Sequence, residues 1–179
     1  KIASKSLLVR GLNVLAATVS TPLAAPIVAS TRLRGGNAGS ARGAATLVAE
    51  AITIARQAHA TGLIVVRADS AYYAGAFVAA CRRNGARFSV TVRMDPKVRR
   101  AIATIPDQAW TTIKYPNAIY DEQSGEWISD AEIAEVPYTA FASKRGHCTE
   151  GRLIVRRVRR LNPKATAQGQ GELFATHRY

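Results

Sequence analysis

Sulfur and acid are both scarce in this chain of 179 residues. Cys81 and Cys148 are too few and too widely separated for a disulfide scaffold or a zinc knuckle, and a reducing cytoplasm suits them best. His59, His147 and His177 have no metal-ligand spacing. Aromatic residues make up 7% of the chain, and no apolar run is long enough to cross a membrane. The opening segment KIASKSLLVRGLNVLAATVS is basic and then apolar, as a signal peptide is, but Gly11, Asn13 and Thr18 interrupt its apolar part. Asp and Glu together number 12, and residues 1–34 contain neither.

Positive charge and apolar bulk are what the chain does have. Twenty-five Lys and Arg leave a net charge of +13, which points to a polyanionic partner, and nucleic acid is the natural one. The charge is uneven. Arg152, Arg156, Arg157, Arg159 and Arg160 crowd one segment, and Arg32, Arg34 and Arg42 flank a glycine-rich loop. Residues 121–135 hold six acids without one Lys or Arg. Arginine enrichment from base composition is the competing explanation, although it would not produce that separation. A hydrophobic content of 47% supplies one good core with a small appended unit.

The order of elements alternates. Residues 12–19 and 26–33 read as two strands joined through Ser20, Thr21 and Pro22. Ala44, Leu47, Val48, Ala51, Ile52, Ala55 and Ala58 recur at helical spacing, with Ser40 as the expected N-cap and Gly62 just past the end. Leu63, Ile64, Val65 and Val66 read as a strand buried on both faces that delivers Asp69 into a polar turn. A helix over 73–84 follows, stopped by Gly85. Residues 87–94, RFSVTVRM, alternate strictly, with Phe88, Val90, Val92 and Met94 on one face and Arg87, Ser89, Thr91 and Arg93 on the other. Asp95 and Pro96 open a short helix to about Ala103. Residues 107–150 spread aromatics among turn residues, the pattern of β hairpins, and RLIVRRV at 152–158 is a last strand.

Asp69 is where chemistry is expected, because functional groups gather outside the carboxyl ends of strands in open α/β sheets. The plainer reading is that Asp69 or Ser70 caps the following helix. Ser70 has no nucleophile elbow and no evident partner histidine. RLRGGNAGSARG at 32–43 could expose backbone amides to an anion before a helix, yet it has neither the P-loop nor the dinucleotide-binding pattern. A strand-to-helix turn accounts for it, with phosphate contact by Arg34 or Arg42 as the added possibility.

Two strands, the loop LRGGNAGSARGA, a long helix, VRADSAYY, a helix, RFSVTVRM and then a β insertion form an order that resembles the DDE transposases of bacterial insertion sequences. The likeness is to the group with a β insertion inside a ribonuclease H-like core, and VRADS before an aromatic pair resembles the motif around the second catalytic acid. What the resemblance implies is metal-dependent cutting and strand transfer of DNA. In such enzymes, three carboxylates hold two Mg²⁺ ions that stabilise attacking and leaving oxygens. Asp69 would be one ligand. The DNA partners would be insertion-sequence ends and the target, with no membrane and a parent that works as a dimer on DNA. Arg32, Arg34, Arg42, Arg93, Arg152, Arg156, Arg157, Arg159 and Arg160 would contact phosphates.

The departures matter equally. The family's first Asp belongs to a strand upstream of the two seen here, and its final Glu to a helix beyond the insertion that neither Glu150 nor Glu172 matches. Beginning at Lys1 and ending at Tyr179, the chain reads as an interior piece of such an enzyme, inactive alone. The expected architecture is an incomplete ribonuclease H-like α/β fold, a mixed sheet flanked by helices. It comprises a partial core over 1–106, a β-rich insertion over 107–150 and return strands over 151–179. Asp69 is expected at the exposed end of a central strand beside the two amino-terminal strands. A noncatalytic basic nucleic-acid-binding protein, or a nucleotide-binding enzyme using the GGNAGS loop, are the rival readings.

Overall fold

The computed structural model describes residues 11–114, 119–121, 126–128, 131–159 and 177–178. They form a mixed α/β structure with two compact units, one running to Arg93 and including Ala140–Thr149, the other holding Met94–Thr139 and the chain from Glu150 on.

The first unit opens with a long antiparallel hairpin, β1 (Leu12–Thr21) and β2 (Ala24–Gly35), in register from Leu12 opposite Gly35 to Thr21 opposite Ala24. Register shifts after Ala17 and after Val19 bend it. The turn is tighter than expected: Pro22 and Leu23 alone make it, and the Leu23 amide donates to Thr21 Oγ1 at 3.2 Å.

Helix α1 (Ala44–Gln57) buries Ala44, Leu47, Val48, Ala51, Ile52 and Ala55, the stripe that the spacing predicts. It starts four residues after Ser40, because residues 40–43 form a turn that ends in Gly43 with φ 78°, a conformation glycine adopts without strain. Its end also comes before Gly62. His59 takes the left-handed conformation (φ 63°), and the Ala60 amide bonds back to the Ala55 carbonyl at 3.0 Å.

Strand β3 (Val65–Ala68) leads into one 3₁₀ turn (Ser70–Tyr72), then α2 (Gly75–Arg83), then β4 (Arg87–Val90), which pairs with β3 in parallel. The helix stops at Gly85 as expected, with φ 67° there. Leu15 from β1, Leu47, Val48 and Ile52 from α1, and Phe77, Val78 and Cys81 from α2 form the core, with Ile64, Val66, Phe88 and Val90 packed on it.

Two expectations are overturned. The LIVV strand is not buried on both faces: Ile64, Val66 and Ala68 are half-buried against the helices, whereas Leu63 and Val65 are 65% and 48% exposed. Only the α1 and α2 side covers it, so the period of two reappears in the burial although every side chain in the run is apolar. Nor do the described strands form one mixed sheet with β3 at its centre. β1 and β2 pair only with each other, as do β3 and β4.

In the second unit, α3 (Pro96–Ala103) is capped as the sequence indicates. The Asp95 carboxylate accepts from the Val98 amide at 2.8 Å, with Pro96 in the first turn and Val98 and Ile102 buried. A 3₁₀ turn (Asp107–Ala109) precedes β5 (Thr111–Thr112), the hairpin β6 (Ile119–Asp121) and β7 (Glu126–Ile128), β8 (Ala131–Ala140), β9 (Thr149–Arg159) and β10 (His177–Arg178). β10, β9, β8 and β5 lie in that order in one sheet, so RLIVRRV belongs to the same sheet as the β-rich stretch before it.

Candidate functional site

Asp69 stands where β3 ends. The Ala68 carbonyl accepts from Thr91 N at 3.1 Å, closing the parallel ladder, and Asp69 continues in extended conformation with its side chain exposed. One carboxylate oxygen accepts from the Ala71 amide at 2.8 Å, and the Asp69 carbonyl takes the Tyr72 amide at 3.1 Å. Asp69 is therefore an N-cap, though of the single 3₁₀ turn Ser70–Tyr72 and not of α2, which starts after Ala74 without a side-chain cap, and this bond also fixes the carboxylate at the strand's end.

The two tyrosines after it anchor this turn. Tyr72 meets Phe77 with ring centroids 5.8 Å apart, and Tyr73 meets Phe141 at 4.7 Å. Aromatic pairs at these separations hold a short turn against the core that its backbone alone would not fix.

Strand alternation puts Asp69 in the same exposed set as Leu63, Val65 and Arg67, on the side away from the helices. Arg67 lies opposite Ser89, and Arg87 opposite Val65, all four exposed. Arg67 and Arg87 therefore precede the carboxylate on its own face. Sequence reasoning passed over Arg67 because a run taken as wholly buried has no outward face; reading the run with period two would have found it.

Among the described residues no three of His, Cys, Asp and Glu stand close enough to hold a metal ion. Asp69 alone does not fit the two-ion site that the resemblance implies, because Mg²⁺ needs several fixed oxygens before it gives up its waters.

The arginines divide sharply by environment. Arg34 holds the loop that follows it: its Nη1 donates to the carbonyls of Gly39, Ser40 and Arg42 at 3.2, 3.1 and 2.7 Å, its Nη2 to Asn13 Oδ1 at 2.6 Å, and its Nε is buried without a partner. Arg32 pairs with Glu50 at 3.3 Å and Arg152 with Glu135 at 2.5 Å, both exposed pairs that contribute little to stability. Arg157 is only 13% exposed. It donates to Glu132 at 2.7 Å and lies 4.1 Å from the Trp110 ring. Its place on β9 is beside the buried Leu153 and Val155, whereas Arg152 and Arg156 share the exposed face with Ile154. Arg42 and Arg93 are exposed. The Arg159 side chain and the whole of Arg160 lie outside the described residues.

Of the remaining candidates, Cys81 is fully buried, and burial pushes its thiol up to about 11, so it is no nucleophile. Cys148 is exposed. His147 packs against the first turn of α2: a Cβ at Gly75 would lie 2.8 Å from its ring, and its Nδ1 is buried without a partner. No described helix is long and apolar enough to cross a membrane.

Residues 25–168 match the family described as "Transposase DDE domain group 1". No curated protein and no solved structure matches the chain.

Proposed function

Because this chain belongs to the transposase DDE domain family, we propose that it carries part of the apparatus by which such an enzyme cuts and rejoins DNA, with Asp69 as one metal-holding carboxylate and its exposed arginines as phosphate contacts. The observation that supports this most is the placing of Asp69: exposed, fixed by the Ala71 amide, at the carboxyl end of β3, with Arg67 on the same face.

The bound ions would supply charge stabilisation of the attacking and leaving oxygens. Asp69 is the one acid placed for it among the described residues, and in this reading the exposed arginines of the chain hold the DNA beside it. Arg67, Arg87, Arg93 and Arg42 are the phosphate contacts; Arg34 and Arg157 keep their own loop and sheet in place. Two exposed guanidinium groups before a carboxylate have a chemical logic. They draw in a phosphate that the carboxylate by itself would repel.

Fluorescence anisotropy with a labelled duplex over a salt series tests the binding. The logarithm of the affinity should fall linearly with log salt at a slope of about −0.9 for each phosphate neutralised. Replacing Arg67 and Arg87 by Gln should flatten that slope by about two such contacts, while an affinity that ignores salt would refute counterion release.

The second reading, a noncatalytic basic nucleic-acid-binding protein, is favoured by Asp69 being occupied as a cap. A cleavage assay on the full transposase that contains this segment separates them. Asp69→Asn should abolish cutting while leaving binding intact, and undiminished cutting would leave only the noncatalytic reading.

A further inference from the structure

The connection between β8 and β9 lies in the first unit, although most of both strands belongs to the second. Three contacts clasp it to α2 and to the turn before that helix. Phe141 meets Tyr73 with ring centroids 4.7 Å apart, and His147 packs so close to Gly75 that a Cβ there would lie 2.8 Å from it. Arg82 holds the far end: its Nη1 donates to the Cys148 carbonyl and to Thr149 Oγ1, each at 3.2 Å. Thr149 is buried, and its hydroxyl donates to the His147 carbonyl at 2.8 Å. Between these anchors the Lys144 amide bonds to the Phe141 carbonyl and the His147 amide to the Lys144 carbonyl, both at 3.0 Å, so the segment is two successive turns rather than a slack loop.

Phe141 carries the strongest sign of purpose. Its φ is 54°, a conformation unfavourable to any residue with a Cβ, which persists only where the surroundings over-determine it. Gly146, at φ 80°, fills the strap's other left-handed position without strain. Glycine at 141 would be equally free of strain, but it would have no ring to set against Tyr73.

The turn that this ring meets has little local support. Asp69 caps only the 3₁₀ turn, and α2 begins without a side-chain cap. Tyr72 reaches Phe77 inside α2, which ties the turn to the next element and to nothing further along the chain. Tyr73 stands two residues beyond Ala71, whose amide orients the Asp69 carboxylate.

We propose that Ala140–Thr149 is a positioning strap and Phe141 a positioning residue for Asp69, the ring contact with Tyr73 holding the turn in which the Ala71 amide fixes the carboxylate. A purely structural Phe141 would loosen the whole core on removal, since it packs partly against that core. A positioning Phe141 loosens the turn alone.

Amide hydrogen exchange in the 179-residue chain separates the two. Phe141→Gly should speed exchange at Ala71 by about threefold or more while leaving Val48 and Ile52 of α1 unchanged, because a local opening leaves the global one where it was. Phe141→Tyr keeps the ring and should restore the original rate. Arg82→Gln releases the other end of the strap from an exposed position, so the fold is not at risk, and it should act on Ala71 in the same direction.

The consequence for cutting rests on the reading of Asp69 proposed above. In the full transposase, Phe141→Gly should lower the rate of cutting at least about tenfold with DNA affinity unchanged, and Phe141→Tyr should recover it, because misplacing a reacting group slows the reaction without weakening binding. Asp69→Asn is the control that keeps the two ideas apart. If it cuts undiminished, the reading of Asp69 falls and the Ala71 exchange by itself decides the strap. If it is inactive while Phe141→Gly cuts normally, the strap does not position Asp69.

An Ala71 amide indifferent to Phe141→Gly or to Arg82→Gln, faster exchange spread equally through α1, or a loss that Phe141→Tyr leaves unrepaired would each overturn the proposal.

Discussion

Replacing Arg34 by Ala removes the guanidinium that joins Asn13 on β1 to the carbonyls of Gly39, Ser40 and Arg42. The four contacts do not count as four bonds. Nη1 has two protons for three carbonyls, and those carbonyls can turn to water, so that group is worth about one charged hydrogen bond. The part-buried bond to Asn13 is a second. At about 1.5–3 kcal/mol for a hydrogen bond to a charged group, the gross loss is roughly 3–6 kcal/mol. Against it stands relief of the buried, unpartnered Nε, about 1–3 kcal/mol, which brings the net destabilisation to about 2 kcal/mol. With a urea slope near 2 kcal/mol/M the midpoint should fall by about 1 M. Arg34→Lys should recover less than half, since one ammonium cannot span both sides of the loop. A double-mutant cycle with Asn13→Ala should show coupling of about 1 kcal/mol, and trypsin should cut after Arg42 faster in Arg34→Ala. A midpoint shift under about 0.2 M with unchanged proteolysis and additive cycle energies would refute the loop-brace account.

Gly75→Ala should destabilise the fold by about 1–3 kcal/mol, because the new Cβ would lie 2.8 Å from both the Cβ and the ring Nδ1 of His147; in a His147→Gly background, which removes both atoms, the same substitution should cost much less in a thermal melt, and an undiminished cost would point to backbone strain instead. Cys148 should react with a thiol reagent in the native chain while Cys81 does not. Cys81 also predicts a pH effect: its folded thiol ionises near 11 against an ordinary 9.0, so this contribution is complete below pH 9 and declines as pH rises toward 11, by about 2 kcal/mol at most. Cys81→Ala should remove that decline from urea midpoints taken between pH 9 and 11. Arg157→Ala should lose about 2–3 kcal/mol and alter Trp110 fluorescence, and Arg157→Lys should not restore the ring contact; unchanged emission would argue against the stacked geometry.

Local chemistry carried the sequence a long way. The α1 stripe, the Asp95 cap with Pro96 behind it and the glycine stop at Gly85 depend on neighbours a few residues apart, and each is found where the residues put it, whereas the strand expected over 87–94 ends at Val90 and leaves Met94 exposed. The boundaries that moved did so through backbone conformations that composition does not announce: Gly43 rather than Ser40 opens α1, and His59 rather than Gly62 closes it. The family was equally legible, because it resides in an order of motifs along the chain.

Which face of a strand is covered depends on residues far away in sequence, and there the tertiary structure decided. Leu63 and Val65 are as apolar as Ile64 and Val66, yet only the latter pair meets the helices. The same applies to charge. Arg34, Arg42, Arg156 and Arg157 are indistinguishable as letters, but three backbone carbonyls and an asparagine engage the first, Glu132 and Trp110 engage the last, and Arg42 and Arg156 are exposed. A guanidinium's role follows from the acceptors that folding brings within 3 Å of it, and those lie on other strands and turns.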